Sequence, residues 1–320
     1  MRLKFKFSVL FFASVIYNSW GQQDKLLTHF MYDKMSINPG KTGMDISNGI
    51  CATTMYRNQW DKVNGAPNSA ILNVEANLEK FFPGGIGISF YHDAIGFARQ
   101  NSALLNYSYP ISLGNYGSLG LGIGVGLLNY GMDPEWVPPT STPDNFLPDG
   151  FSANNIDLNF GVYFQGKDFY AGASSTHLSA SLLENTISNA ANTIQSYQTA
   201  RHYYLMGGKT FDGVLGGTID AQLLLRTDLV KFSGDINARY LYNIGNNSQV
   251  YGGLTVRTSD AIAIMLGYSP FSNFTFGYSY DLTVLNKLNS ISRGSHEIMV
   301  KYCLSLPEPP TQSSRHPRWL

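Results

Sequence analysis

From Tyr116 to Tyr130 the chain sets Leu119, Leu121, Ile123, Val125 and Leu127 at alternate positions, with Ser118, Gly120, Gly122, Gly124 and Gly126 between them. A period of two is the period of a β-strand, so the large apolar side chains share one face and the glycines the other. The alternation recurs. Ile156, Leu158, Phe160, Val162 and Phe164 stand against Asn155, Asp157, Asn159 and Gly161, and Phe274, Phe276, Tyr278 and Tyr280 against Asn273, Thr275, Gly277, Ser279 and Asp281. One face suits lipid and the other a polar interior. Turn signals divide the chain from Ile50 onward into such segments, which is how a transmembrane β-barrel reads. The pattern predicts strands over 50–60, 68–81, 85–94, 99–111, 116–130, 153–165, 167–176, 200–211, 215–228, 233–245, 248–258, 260–269, 272–282 and 293–305.

That is about fourteen strands, an even number. The expected fold is all-β: an antiparallel, up-and-down outer-membrane barrel. Its connections alternate as bacterial barrels require, with short turns on the periplasmic side and longer loops outside. The even connections are short, among them Phe82 to Gly84, Gly166 and Pro270 to Phe271, whereas the odd ones include Gly131 to Ser152, His177 to Thr199 and Thr283 to Ser292. A soluble sandwich has no reason to be two-sided in this way.

Composition agrees with a barrel. The chain has 32 Gly, 20 Tyr and 19 Phe in 320 residues and only 14% charged residues, against about 25% in soluble domains. Glycine turns and aromatic girdles account for that bias. The net charge of zero gives no basis for a nucleic-acid partner. Arg2, Lys4 and Lys6, the apolar run Phe7 to Tyr17 and Ser19-Trp20-Gly21 read as a secretory signal over 1–21. Beyond it no run is long enough for a membrane helix. Residues 22–49 are expected to form a periplasmic N-terminal segment or partial plug, 50–305 the barrel and 306–320 a periplasmic tail.

Parity also assigns the lumen. Arg57, Glu75, Glu79, Asp157, Asp220, Arg226, Asp235, Arg239, Arg257, Asp281, Glu297 and Lys301 fall on inward faces, as do Gly122 and Gly124. The signs are mixed, where a selective pore carries a ring of one sign, so paired side chains and the N-terminal segment are expected to fill much of the interior. Cys51 opens the first strand and Cys303 lies near the end of the last. They are placed either to bond across the closure seam or to remain two buried thiols.

Catalytic chemistry finds little support. His177-Leu178-Ser179 puts a histidine and a serine two residues apart, with no third group assigned to orient the imidazole. His29, His92, His177, His202, His296 and His316 are scattered without ligand spacing, so neither a metal nor a cofactor is expected. The Gly120-Leu121-Gly122-Ile123-Gly124 run lies inside a strand and lacks the strand-to-helix setting of a phosphate loop.

Several short motifs in order carry a family likeness: Gln23-Asp24 with Phe30-Met31-Tyr32, Asn38-Pro39-Gly40 with Thr42-Gly43, Arg57-Asn58-Gln59-Trp60, Gly65-Ala66-Pro67, His177-Leu178, Arg201-His202-Tyr203-Tyr204, Gly294-Ser295-His296-Glu297-Ile298 and Pro317-Arg318-Trp319-Leu320. Over almost the whole mature length the chain resembles the PorP/SprF membrane proteins of the type IX secretion and gliding machinery. Two departures are local: His29 stands where the family pattern implies glutamine, and the proline-rich loop from Gly131 to Ser152 is particular to this chain. The resemblance implies a non-enzymatic barrel in the bacterial outer membrane. It implies binding or anchoring of an exported surface protein through that protein's C-terminal domain, or of a periplasmic component of the machine. A porin or transporter for small solutes is the alternative. Trp136, Pro138 and Pro139 in the long loop form the candidate partner-binding surface.

Overall fold

The computed structural model describes residues 24–46, 49–79, 81–133, 150–179, 182–186, 194–245, 247–258, 260–284 and 290–306. The N-terminal signal, Trp136, Pro138, Pro139 and the tail from 307 lie outside the described residues. The barrel strands are β1 (Gly49–Asn58), β2 (Asn68–Asn77), β3 (Gly85–Ile95), β4 (Ala98–Ser112), β5 (Ser118–Met132), β6 (Phe151–Gln165) and β7 (Phe169–Thr176). They continue, after a hairpin of β8 (Leu182–Thr186) and β9 (Ile194–Gln198), with β10 (His202–Val214), β11 (Gly217–Thr227), β12 (Phe232–Asn243), β13 (Gln249–Arg257), β14 (Ile262–Phe271), β15 (Phe274–Leu282) and β16 (Ser295–Ser305).

Fourteen of these close into one antiparallel barrel, with β7 pairing β10 and β1 pairing β16. Closure leaves no unpaired edge, the condition for backbone to cross a bilayer. Among the described residues no helix is long and apolar enough to cross a membrane. The closed strand order makes the chain a β-barrel, as its alternation predicts.

Parity holds along the strands. On β5, Leu121, Ile123, Val125 and Leu127 are turned outward, while Gly120, Gly122 and Gly124 are buried. Exposed aromatics Phe81, Phe82, Tyr116, Phe169, Phe211, Tyr242 and Phe271 gather near the short turns and form a girdle at that rim. One inward assignment fails. Glu79 is exposed in the turn after β2, because the Asn77 side chain accepts the Glu79 amide and ends the strand there. The connection after β7 also carries the β8–β9 hairpin, which joins no barrel strand.

The core of the molecule lies inside the barrel. Residues 24–46 run through the lumen as a strap containing two 3-10 turns, Phe30–Tyr32 and Pro39–Lys41, and one short helix, α1 (Lys34–Ile37). Phe30, Met31 and Ile37 pack with Tyr163, Tyr170, Tyr204, Met206, Tyr251 and Met265 of the wall. Leu27 packs with Met55, Ile71, Tyr91 and Met299. The strap starts near the long-loop rim, where Asp24 meets Tyr204 near the start of β10, and descends to the short-turn rim, where Gly43 meets Ala76 and Gly85.

Candidate functional site

The lumenal charges hold the strap at two levels. In the loop-side half the wall supplies Arg57, Arg257, Asp281 and Glu297, all 2% exposed or less. Arg57 donates to Asp281 Oδ2 at 2.7 Å and to Glu297 Oε2 at 3.2 Å. Glu297 then accepts the backbone amides of Thr28 at 2.9 Å and His29 at 2.7 Å, and its Oε1 lies 2.8 Å from His29 Nδ1. Thr28 donates its hydroxyl to Asp281 at 2.8 Å. Arg257 joins Asp281 at 3.2 Å to Asp235 at 2.8 Å, and Arg226 also pairs with Asp235. A backbone turn in a low-dielectric interior must find partners for its amides, and Glu297 provides them here. His29 is thus fully buried against a wall carboxylate.

In the turn-side half the cation belongs to the strap. Lys41 pairs with Glu75 of β2 at 2.5 Å and with Asp45 at 2.7 Å, and Glu75 also accepts the Gly43 amide at 3.0 Å. Asn38 donates to the carbonyl of Val162 at 3.0 Å while its Oδ1 accepts the Gly40 amide at 2.9 Å. Ser108 and Ser174 donate to the carbonyls of Gly40 and Ile37 at 2.7 and 2.8 Å. Between the two levels, Arg239 bridges Tyr32 at 2.9 Å and Asp220 at 2.8 Å.

The glycine face of β5 explains the path. A Cβ on Gly122 would strike the backbone of Pro39 and Gly40, and one on Gly120 the Gly40 carbonyl. Reciprocally, a Cβ on Gly40 would lie 2.8 Å from the Gly120 carbonyl and 2.9 Å from that of Gly161. Asn38-Pro39-Gly40 lies directly on this bare surface. Gly124 differs, since the nearest neighbours of its would-be Cβ are the side chains of Asn106 and Asn159.

Above the strap, at the long-loop rim, is a cavity of about 730 Å³ whose lining includes Asp24, Lys25, Trp60, Tyr91, Arg99 and Lys231. At the same rim the fold joins residues that are distant in sequence: Asp24, His177 and His202 each place one oxygen or nitrogen within 4.8 Å of the others. Burial alone would raise the pKa of Asp24, but His202, His177 and Lys25 hold it below the usual carboxylate range. Burial alone would lower that of His177, yet its contact with Asp157 and the charge of Asp24 push it up. Ser179 does not join this group, because its hydroxyl donates to the Ile156 carbonyl.

Cys51 and Cys303 face each other in the β1–β16 register and are bonded, with Cα atoms 4.0 Å apart. The bond ties the barrel seam. Arg57, Glu75, Asp220, Arg226 and Arg239 all stand in the lumen, joined through or beside the strap. Sequence spacing gave no sign of the Asp24, His177 and His202 grouping, which exists only because β7 pairs β10 across an intervening hairpin and the strap starts beside them.

Among solved structures the chain is similar to the CymD monoaromatic hydrocarbon channel, with 11% identity and a TM-score of 0.54 over 86% of this chain and 93% of that one. It is also similar to a Pseudomonas aeruginosa FadL homologue, at 9% identity and a TM-score of 0.49 over 83% and 92% of the respective chains. At such identities the likeness to CymD is one of fold. No curated protein matches the chain. The family described as type IX secretion system membrane protein PorP/SprF matches residues 19–302. Matched over that span and folded as a closed antiparallel barrel, this outer-membrane chain belongs to the PorP/SprF membrane proteins of the type IX secretion system.

Proposed function

We propose that the barrel serves type IX secretion as a binding and anchoring component rather than as a conduit or an enzyme. The carrying observation is the strap: residues 24–46 occupy the lumen and are hydrogen-bonded at both levels to buried wall charges. A lumen filled in this way leaves the two rims as the working surfaces. At the outer rim the partner is an exported surface protein held through its C-terminal domain, and at the inner rim it is a periplasmic component of the machine. The loop bearing Trp136, Pro138 and Pro139 is the candidate outer contact. It joins two of the longest strands, β5 and β6, and offers proline stiffness with an aromatic anchor.

Two measurements test this reading. Purified protein in a planar bilayer is expected to give no large, steady conductance, and a wide open pore would favour the solute-transport alternative. Replacing residues 134–149 by a short Gly/Ser linker is expected to abolish capture of the exported partner while the barrel still reaches the outer membrane. Unchanged capture and secretion would remove the loop from the proposal.

A further inference from the structure

The grouping of Asp24, His177 and His202 has the chemistry of a metal site. We propose that these three residues bind a divalent transition-metal ion of the Zn²⁺ class at the loop-side rim, clamping the start of the lumenal strap to the barrel wall. Two imidazoles and one carboxylate make a three-ligand set of the kind that holds Zn²⁺ with one position left for water. Their candidate ligand atoms lie within 4.8 Å of one another, and modest side-chain turns would bring them to the roughly 3.3–3.6 Å that separates tetrahedral ligands about 2.0–2.2 Å from one ion.

The surroundings are built for ligation. His202 Nδ1 lies 3.1 Å from the Ala200 carbonyl. A carbonyl only accepts, so Nδ1 carries the proton and Nε2 keeps its lone pair. His177 Nδ1 lies 3.0 Å from Asp157 Oδ2 as an ion-pair contact in which neither atom makes an aligned hydrogen bond, so a small turn of the ring completes the same arrangement there. Metal-ligating histidines characteristically give their second nitrogen to a carboxylate or a backbone carbonyl, and both partners are present here. The Asp24 carboxylate is itself oriented, accepting the Tyr204 hydroxyl on Oδ2 and the Lys25 amide at 2.8 Å on Oδ1. The two rings stand edge to face with centroids 5.9 Å apart, and both histidines are at least nine-tenths buried. His177 is held at φ +56°, an uncommon backbone region for a non-glycine residue, with its amide bonded to Asn159 at 2.9 Å. Asp24 also lines the outer cavity, which gives an ion from the medium a route to the group.

The consequence is mechanical. Asp24 belongs to the strap, while His177 and His202 belong to the wall on either side of the β8–β9 excursion. One ion therefore crosslinks three segments. This inference rests on the local geometry and stands whether or not the barrel anchors a secreted protein.

The test uses the full-length protein in detergent, without a histidine tag, stripped with chelator and titrated with ZnCl₂ against a competing dye. One saturable Zn²⁺ per chain is expected. His202→Gln and Asp24→Asn should each weaken it at least tenfold, and Asp157→Asn, which leaves all three ligands in place, about 10- to 100-fold. A second readout needs no variant: in the wild-type protein, Zn²⁺ should protect His177 and His202, but not His92, from diethyl pyrocarbonate, as read by mass spectrometry. Zn²⁺ uptake unaffected by these substitutions, or equal modification of His177 and His202 with and without Zn²⁺, would overturn the proposal.

Discussion

Arg57 shows what a buried cation does in this lumen. Its guanidinium reaches Asp281 at 2.7 Å, Glu297 at 3.2 Å and the Thr28 hydroxyl at 3.1 Å, and it is 1% exposed. Removing such a charge from water offsets much of the Coulomb gain, so the network specifies where the strap docks more than it adds net stability. Deleting one member is another matter, because it strands the others. Arg57→Met is expected to cost about 3–5 kcal/mol, seen as a lower temperature at which the protein loses its folded mobility on a semi-native gel. Unchanged heat resistance would show that water screens Asp281 and Glu297. The glycines allow a finer comparison. Gly122→Ala sets a methyl against the backbone of Pro39 and Gly40, whereas Gly124→Ala presses chiefly on the end of the Asn106 side chain, which can turn away. With Ser36→Cys as a buried reporter in the strap, Gly122→Ala should speed thiol modification by roughly tenfold or more, a shift of about 1.4 kcal/mol. Gly124→Ala should leave it near the parent rate. Equal rates for both would mean that the glycine face does not seat the strap.

At the scale of strands, alternation made almost everything legible except ends and partners. The strand order, the two-sided connections and the inward position of Arg57, Glu75, Asp220, Arg226 and Arg239 follow from a period of two, since a slip of one residue would turn every charge into lipid. The end of β2 did not follow, because it depends on the Asn77 side chain capturing the Glu79 amide. Nor did the pairing of Thr28 and His29 with Glu297, across sequence separations of 269 and 268 residues, since no local pattern encodes so distant a contact. The seam shows register and covalent chemistry acting together. Cys51 opposes Cys303 one step from Ile50–Leu304, and Arg57 opposes Glu297 six residues further along the same strand pair. A bond between positions 252 residues apart restricts the unfolded chain, by about 5.5 kcal/mol in the chain-entropy account. Denatured but unreduced protein should therefore run faster on a gel than reduced protein and titrate no free thiol. Reduction should lower heat resistance without opening the barrel, because the β1–β16 ladder remains. Identical mobility and two titratable thiols would show that the seam is held by the ladder alone.

For the whole molecule the question is whether the strap closes a passage that would otherwise conduct. Fourteen strands enclose more space than their own side chains fill, and the strap supplies Phe30, Met31, Met35 and Ile37 to that space as buried apolar volume. Its polar atoms are matched to the wall at both levels, so it cannot slide along the axis without breaking the Glu297 contacts at one end and the Lys41–Glu75 pair at the other. A wall stripped of the strap would still hold Arg57, Arg226, Arg239 and Arg257 among Asp220, Asp235, Asp281 and Glu297, which can pair with one another and let the barrel fold around water. Deleting residues 24–46 behind an intact signal is therefore expected to yield a folded barrel that conducts in a planar bilayer where the parent does not. Because the exposed wall mixes both signs, the reversal potential in a salt gradient should lie near zero, unlike that of a pore lined by charges of one sign. The paired variant Arg57→Met with Arg257→Met loosens only the loop-side level, so it should show brief openings over a closed baseline. If the deletion folds and stays silent, closure lies in the wall and outer loops. The strap would then serve to shape the rim at which Asp24, His177 and His202 meet.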